Sequence, residues 1–159
     1  VVLDSTYPIY KFEFINIHAS TTTPNLTFNM STDSGSNYNV TKTTTFFRAI
    51  HNEAGADGQL SYDAGTDLAQ STAFQPIMQY VGNGDDESAS GSMFLYNPAS
   101  TVFVKHFIAT TNKTGATYNG TNFVAGYGNT TSAVNAIRFQ MGAGNIDAGK
   151  IKLYGIKDS

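Results

Sequence analysis

The run Gly149-Lys150-Ile151-Lys152-Leu153-Tyr154-Gly155-Ile156 near the C-terminal end alternates apolar and polar residues. On an extended chain Ile151 and Leu153 project to one side, and Lys150, Lys152 and Tyr154 to the other. A chain end frays unless it is tied down. An apolar strand here is therefore expected to be sandwiched between other strands, with Ile151, Leu153 and Ile156 largely buried. On that reading Leu153→Ala costs about 2–5 kcal/mol, the range for a buried leucine. The best partner by pattern lies near the other end, where Tyr10, Phe12 and Phe14 alternate with Ile9, Lys11 and Glu13. Glu13 and the lysines would complement one another across such a ladder. The first and last strands are expected to lie side by side or close, with the rest of the chain a long excursion between them. Closed antiparallel sandwiches with Greek-key or jelly-roll winding behave this way.

Other period-two runs extend the pattern. Ile9 to Ile17 reads as the first strand, but its inward parity changes after Phe14. Either a β-bulge near Asn16 reconciles the two halves or the strand is buried on both faces. Leu26, Phe28 and Met30 alternate with Thr27 and Asn29. Then comes Ser31-Thr32-Asp33-Ser34-Gly35-Ser36-Asn37-Tyr38, which has the Ser-x-Asp-x-Gly-x-x-aromatic form of an Asp-box hairpin. Asp33 is placed to accept backbone N–H groups across the turn, and Gly35 to take positive φ. A third strand is expected over 38–50 and a short one over 59–62. An irregular stretch from Asp67 is expected to lead into a strand over 76–81. The most secure hairpin joins 88–96 to 101–111 around Asn97-Pro98. A loop over 112–122, a strand over 123–127 and a strand over 136–141 precede the final one. Eight to ten strands with little helix make an all-β antiparallel sandwich of jelly-roll type the expected fold.

Composition narrows the function classes. At 159 residues, with 40% hydrophobic content, one domain spanning 1–159 with a full core is expected. The chain begins at Val1 without methionine, so it is either processed or a piece of a longer protein. Charged residues make up only 13%, and Thr, Ser, Asn and Gly take the polar positions, which suits strands and turns better than surface helices. The net charge of −3 and the lack of any basic block argue against nucleic-acid binding. Without cysteine there is neither a disulfide framework nor a thiolate zinc site. No apolar run reaches membrane-spanning length and no signal peptide is recognisable, so no membrane partner is expected.

Chemistry-bearing residues are present without a pattern that assembles them. Asp85, Asp86 and Glu87 form the densest acidic cluster; calcium ligation needs oxygen donors of this kind, but at alternate spacing, and a solvated acidic turn is the commoner explanation. His18, His51 and His106 show no metal-pair spacing. His51 with Glu53 is the best acid–base pair that the chain offers, on an expected loop. Glu13, Glu53, Glu87 and the aspartates single out no pair for glycoside hydrolysis. There is no nucleophile elbow and no phosphate-binding loop. No catalytic, cofactor-binding or metal residue is therefore assigned, no cofactor is expected, and the domain is read as non-enzymatic. Tyr118 and Tyr127 either stack on sugar rings or plug the ends of the sandwich with wet hydroxyls.

Six phrases carry a resemblance over nearly the whole length: 31–45 (STDSGSNYNVTKTTT), 67–74 (DLAQSTAF), 86–91 (DESASG), 97–106 (NPASTVFVKH), 123–132 (FVAGYGNTTS) and 144–156 (GNIDAGKIKLYGI). Together they resemble structural proteins of marine tailed bacteriophages: tail-fibre, appendage or capsid-decoration components. The resemblance implies a virion part, assembled in a host bacterial cytoplasm, whose partners are other virion proteins and copies of itself, a trimer by analogy with threefold fibres. A host-surface glycan is the alternative ligand. The resemblance brings no catalytic residues.

Overall fold

The computed structural model describes residues 3–158. Ten strands occur among them: β1 (Ile9–Ala19), β2 (Leu26–Ser31), β3 (Lys42–Asn52), β4 (Gly58–Tyr62), β5 (Gln75–Met78), β6 (Ala89–Tyr96), β7 (Lys105–Gly115), β8 (Tyr118–Gly128), β9 (Ala136–Met141) and β10 (Ile146–Ile156). They form two antiparallel sheets, one ordered β10-β1-β6-β7-β8-β3-β4 and the other β5-β2-β9. The result is an all-β sandwich. The finer expectation of jelly-roll winding gains no support from so unequal a division of strands.

The core lies between the sheets, and the period-two pattern explains which residues enter it. Tyr10, Phe12 and Phe14 of β1, Met93 and Leu95 of β6, and Phe107 and Ala109 of β7 are buried on one side of the large sheet. Leu26, Phe28 and Met30 of β2 meet them from the small sheet. The phenylalanines lock the layers edge to face: Phe28 lies 4.8 Å from Phe107, and Phe139 lies 5.1 and 5.2 Å from Phe12 and Phe14.

β1 and β10 pair along their length, Ile9 opposite Ile156 and Phe14 opposite Ile151. The bulge expected near Asn16 is present. Register shifts after Phe14 against β6 and after Ile15 against β10, with Asn16 at φ 49°. Asn tolerates this left-handed conformation better than most residues, and the shift returns Ile17 to the core.

The expected burial of β10 is overturned. Ile151, Leu153 and Ile156 are 37%, 38% and 38% exposed. β10 is an edge strand, not an inner one. Ile151 and Leu153 face the core side, opposite Phe14 and Phe12, but the small sheet ends at β9 and nothing covers them fully. Ile156 pairs with Ile9 and faces outward with Tyr154. Leu153→Ala is therefore expected to cost about 1 kcal/mol, since much of the side chain is already wet. A urea-unfolding loss above about 2 kcal/mol, the range for buried leucines, would show the strand to be more deeply packed than this.

Three local expectations also change. The Asp-box segment does not join a hairpin, because β2 and β3 belong to different sheets. The turn itself is as expected: Asp33 accepts N–H bonds from Asn37, and Gly35 has φ 88°. The loop expected over 112–122 is mostly strand, since β7 and β8 form a long hairpin closed at Ala116-Thr117. Thr110, Asn112 and Thr114 were legible as its polar face only with the partner in view. β7 starts at Lys105, not Thr101, so 97–104 is a loop that leaves Val102 and Phe103 67% and 69% exposed.

Candidate interaction surface

The large sheet has a second face, turned away from the core. Cross-strand register arranges it in rows. One row runs Tyr154, Lys11, Phe94, Ile108, Ala125, Thr45, and the next runs Lys152, Glu13, Ser92, Thr110, Phe123, Phe47, Tyr62. His106, Tyr127 and Thr43 form part of a third. Antiparallel sheets usually present polar residues to water on such a face. Here Phe47, Tyr62, Ile108 and Tyr154 are exposed, and Leu60 beside Phe47 is 72% exposed. Phe47 and Phe123 stack face to face at 4.8 Å, and Phe94 stacks on Tyr96 at 6.2 Å.

Charge on this face gathers at one end. Lys11 donates to Glu13 over 2.8 Å and lies over the Phe94 ring at 5.6 Å. That hydrogen bond holds the Glu13 carboxyl below its usual range. In the middle a shallow depression opens over Ala125 and Gly126, walled by Thr43, Thr45, His106, Ile108 and Tyr127. Its walls are almost wholly hydrocarbon apart from the threonine hydroxyls and the His106 and Tyr127 tips. Sequence reading missed this surface because each strand alone shows only an unremarkable outward parity; the rows exist only once the register is known.

Of the residues singled out from sequence, His18, Asp85, Asp86 and Glu87 line one shallow depression, and the others are scattered. Tyr127 stands on the outer face beside His106, ring centroids 6.1 Å apart. Tyr118 stands at the sandwich end, on the strand and not in a loop, with Lys113 Nζ 4.0 Å from its ring centroid and donating to its hydroxyl. His51 lies on the outer face of β3 and Glu53 just after the strand; both are exposed and no hydrogen bond joins them. Asp85 and Asp86 are exposed, while Glu87 folds back to accept the Gly84 N–H. Among the described residues no three His, Asp or Glu side chains are grouped to hold a metal ion.

His18 does find partners. Its Nδ1 meets Asp147 of β10 at 2.7 Å, and its Nε2 meets the Gly84 carbonyl at 3.2 Å. Both neighbours accept, so only the doubly protonated ring satisfies both. The Asp147 bond, then the Gly84 carbonyl, raise the His18 pKa above its ordinary value. The raised value means that this clamp is complete below the unfolded pKa near 6.5 and is lost as pH rises through the folded one. NMR titration of His18 is expected to give a midpoint above 6.5, and Asp147→Asn to bring it down; a midpoint at or below 6.5 counts against the clamp.

Three buried lysines were also missed. Lys42 and Lys105 are 0% exposed and Lys113 is 3% exposed, with no carboxylate hydrogen-bonded to any of them. Lys42 Nζ donates to Asn29 Oδ1 at 2.6 Å and to the Val40 carbonyl at 2.8 Å. Lys105 Nζ donates to the Phe103 and Thr130 carbonyls. Lys42 and Lys105 flank Gly128 on one cross-strand row, and Lys113 lies at the opposite end of β7. Burial pushes Lys42 down to about 8 and lowers Lys105 as well. The signal was the parity of β7, on which Lys105, Phe107, Ala109, Thr111 and Lys113 share one side.

Neither a family model, nor a curated protein, nor a solved structure matches this chain.

Proposed function

We propose that this is a non-catalytic structural domain of a marine tailed-bacteriophage particle, which works by packing its outer sheet face against other virion protein. The observation that carries the reading is that face, where Phe47, Leu60 and Tyr62 stand exposed on the neighbouring strands β3 and β4, with the Phe47–Phe123 stack beside them and Ile108 exposed on β7. Contiguous exposed apolar surface marks interaction sites, and the phage setting comes from the sequence resemblance. Hydrolysis is not part of the reading, since His51 and Glu53, the pair that the sequence offered, are both exposed and share no hydrogen bond.

Glycan binding is the second reading, favoured by the flat Phe47–Phe123 stack and by Tyr127 beside His106. A sugar needs hydrogen-bonding groups around such platforms to hold its hydroxyls, and the central depression offers few. This ranks the glycan below a protein partner.

Immunogold labelling with an antibody to this chain is expected to decorate intact particles of the encoding phage. Ile108→Asp, in the middle of the face, is expected to keep the fold and remove the chain from particles. Particles that carry no label, or incorporate Ile108→Asp normally, would overturn the reading. Binding of the wild type to a host glycan array, lost in Tyr127→Ala, would favour the second.

A further inference from the structure

Among the described residues the two sheets leave four edge strands, β10 and β4 on the large one and β5 and β9 on the small one. A free edge templates pairing with another chain, and proteins normally blunt it with charge, proline, a bulge or a covering segment. Three of these edges are treated so. β10 carries Lys150 and Lys152 behind a bulge at Gly149, φ 105°. β5 is four residues long and includes Pro76. β9 carries Arg138, and just before its first residue Leu3 comes alongside and donates to the Asn135 carbonyl. β4 has none of these devices. Gly58-Gln59-Leu60-Ser61-Tyr62 contains no charge and no proline, and it leaves Leu60 72% and Tyr62 56% exposed.

The backbone of β4 is set for pairing. Residues of an antiparallel pair alternate between those that exchange hydrogen bonds and those that turn their N–H and C=O away. At the two ends of the β3–β4 ladder, Asn52 N–H donates to the Asp57 carbonyl and Asp63 N–H to the Phe46 carbonyl. Gln59 and Ser61 therefore turn their backbone groups to β3, and Gly58, Leu60 and Tyr62 turn theirs to the free side. Among the described residues no hydrogen bond reaches those groups. A copy rotated by a half-turn about an axis normal to the sheet keeps its outer face outward and runs its β4 antiparallel to this one. Outer residues must then meet outer residues, and three registers keep more than one residue of β4 in the pair. Centring on Leu60 sets Asp57 against Asp63, and like charges directly opposed destabilise a ladder. Centring on Gln59 sets Leu60 against Gly58. Centring on Ser61 sets Leu60 against the partner's Tyr62, and Gln59 against the partner's Asp63, an amide against a carboxylate.

The geometry points to a two-fold dimer in which β4 of one copy adds antiparallel to β4 of a second about Ser61, so that the large sheet runs on across the axis. Leu60 and the partner's Tyr62 turn their free N–H and C=O groups to each other and form a hydrogen-bonded pair, and the symmetry supplies the second such pair. The most exposed apolar residue of β4 gains an aromatic neighbour, and the outer patches around Phe47 and Tyr62 of the two copies merge into one. A second copy is the occupant because the strand is its own complement in this register: neither Leu60 nor Asp63 meets its like. Both copies use the same patch, so the contact closes at two. The inference goes beyond the packing face proposed above and does not rest on the particle setting.

Ser61 gives a direct test. On the axis it meets its own copy as a non-hydrogen-bonded pair, with Cα atoms about 4.5 Å apart, which lies within disulfide range. The chain has no cysteine, so any cross-link comes from an introduced one. Ser61→Cys is expected to give a covalent dimer on mild oxidation, read by non-reducing electrophoresis. Leu60→Cys, which cross-links in the Leu60-centred register, is expected to give little. In light scattering at micromolar concentration the wild type is expected at twice its 17.1-kDa chain mass. Leu60→Pro is expected to be monomeric with unchanged circular dichroism, since proline there removes an N–H that points away from β3. A monomeric wild type, a folded Leu60→Pro protein that stays paired, or Leu60→Cys cross-linking as fast as Ser61→Cys would each overturn the proposal. Should Leu60→Pro unfold, the two cysteine variants decide it. Ile108→Asp, on β7, separates the edge from the face: it should dimerise as the wild type does while failing to enter particles, and loss of the dimer there would overturn the edge contact.

Discussion

Phe28→Ala is expected to destabilise the protein by about 3–5 kcal/mol, the largest effect of any single core truncation in it. Phe28 is fully buried at the middle of β2, between Leu26 and Met30. Its ring meets Phe107 of the large sheet edge-on and lies 6.3 Å from Phe139 of β9. Truncation removes contact with both layers at once and opens a cavity that flanking strands, held by their ladders, cannot close. In a domain of this length the melting temperature should fall by about 10 °C or more. Thermal and urea unfolding would measure it, and a loss under about 1 kcal/mol would mean that the two sheets are not held together as described.

The second large effect is on pH dependence. Folded Lys42 titrates at about 8, below the usual 10.5, because burial disfavours its charge. Between those values the unfolded chain holds a proton that the folded chain has released. Stability therefore rises with pH across that window, by on the order of 3 kcal/mol for Lys42 if the whole shift is expressed. Lys105 adds a slope of the same sign, so the comparison that isolates Lys42 is Lys42→Met. That variant should be weaker at neutral pH, where Asn29 Oδ1 and the Val40 carbonyl lose their donor. Its stability should also climb less steeply from about pH 8 towards 10. Parallel curves for the two proteins would show that Lys42 is not the group that titrates.

The strands were legible because their pattern is local. Ile137 and Met141 of β9 and Met93 and Leu95 of β6 alternate into the core as their sequence parity demands. The pairing of Ile9–Ala19 with the C-terminal strand was legible too, from matched patterns at the two ends. What local pattern does not carry is which sheet a strand joins and how far the opposite sheet reaches. Leu153 has the parity of a core residue and stays wet because β9 is the last strand of the small sheet. Lys42 reads as a surface lysine and is buried because Asn29 and Val40 supply acceptors from distant parts of the fold. The outer face failed for the same reason, since Phe47, Phe123 and Tyr62 become neighbours only through register.

The pairing of the first strand with the last also bears on how the molecule forms. β1 pairs in the sheet with β6 and β10, with Ile17 opposite Ala89 and Ile9 opposite Ile156. None of its ladder can close until distant chain has been brought back, at the entropic cost of very long loops. Folding dominated by such non-local pairing is slow, in the millisecond-to-second range. During synthesis Tyr10, Phe12 and Phe14 emerge long before the β6 and β10 residues that pair with their strand. Seating of β10 is then the closing event, and the interval before it is when the chain is most exposed to misassembly.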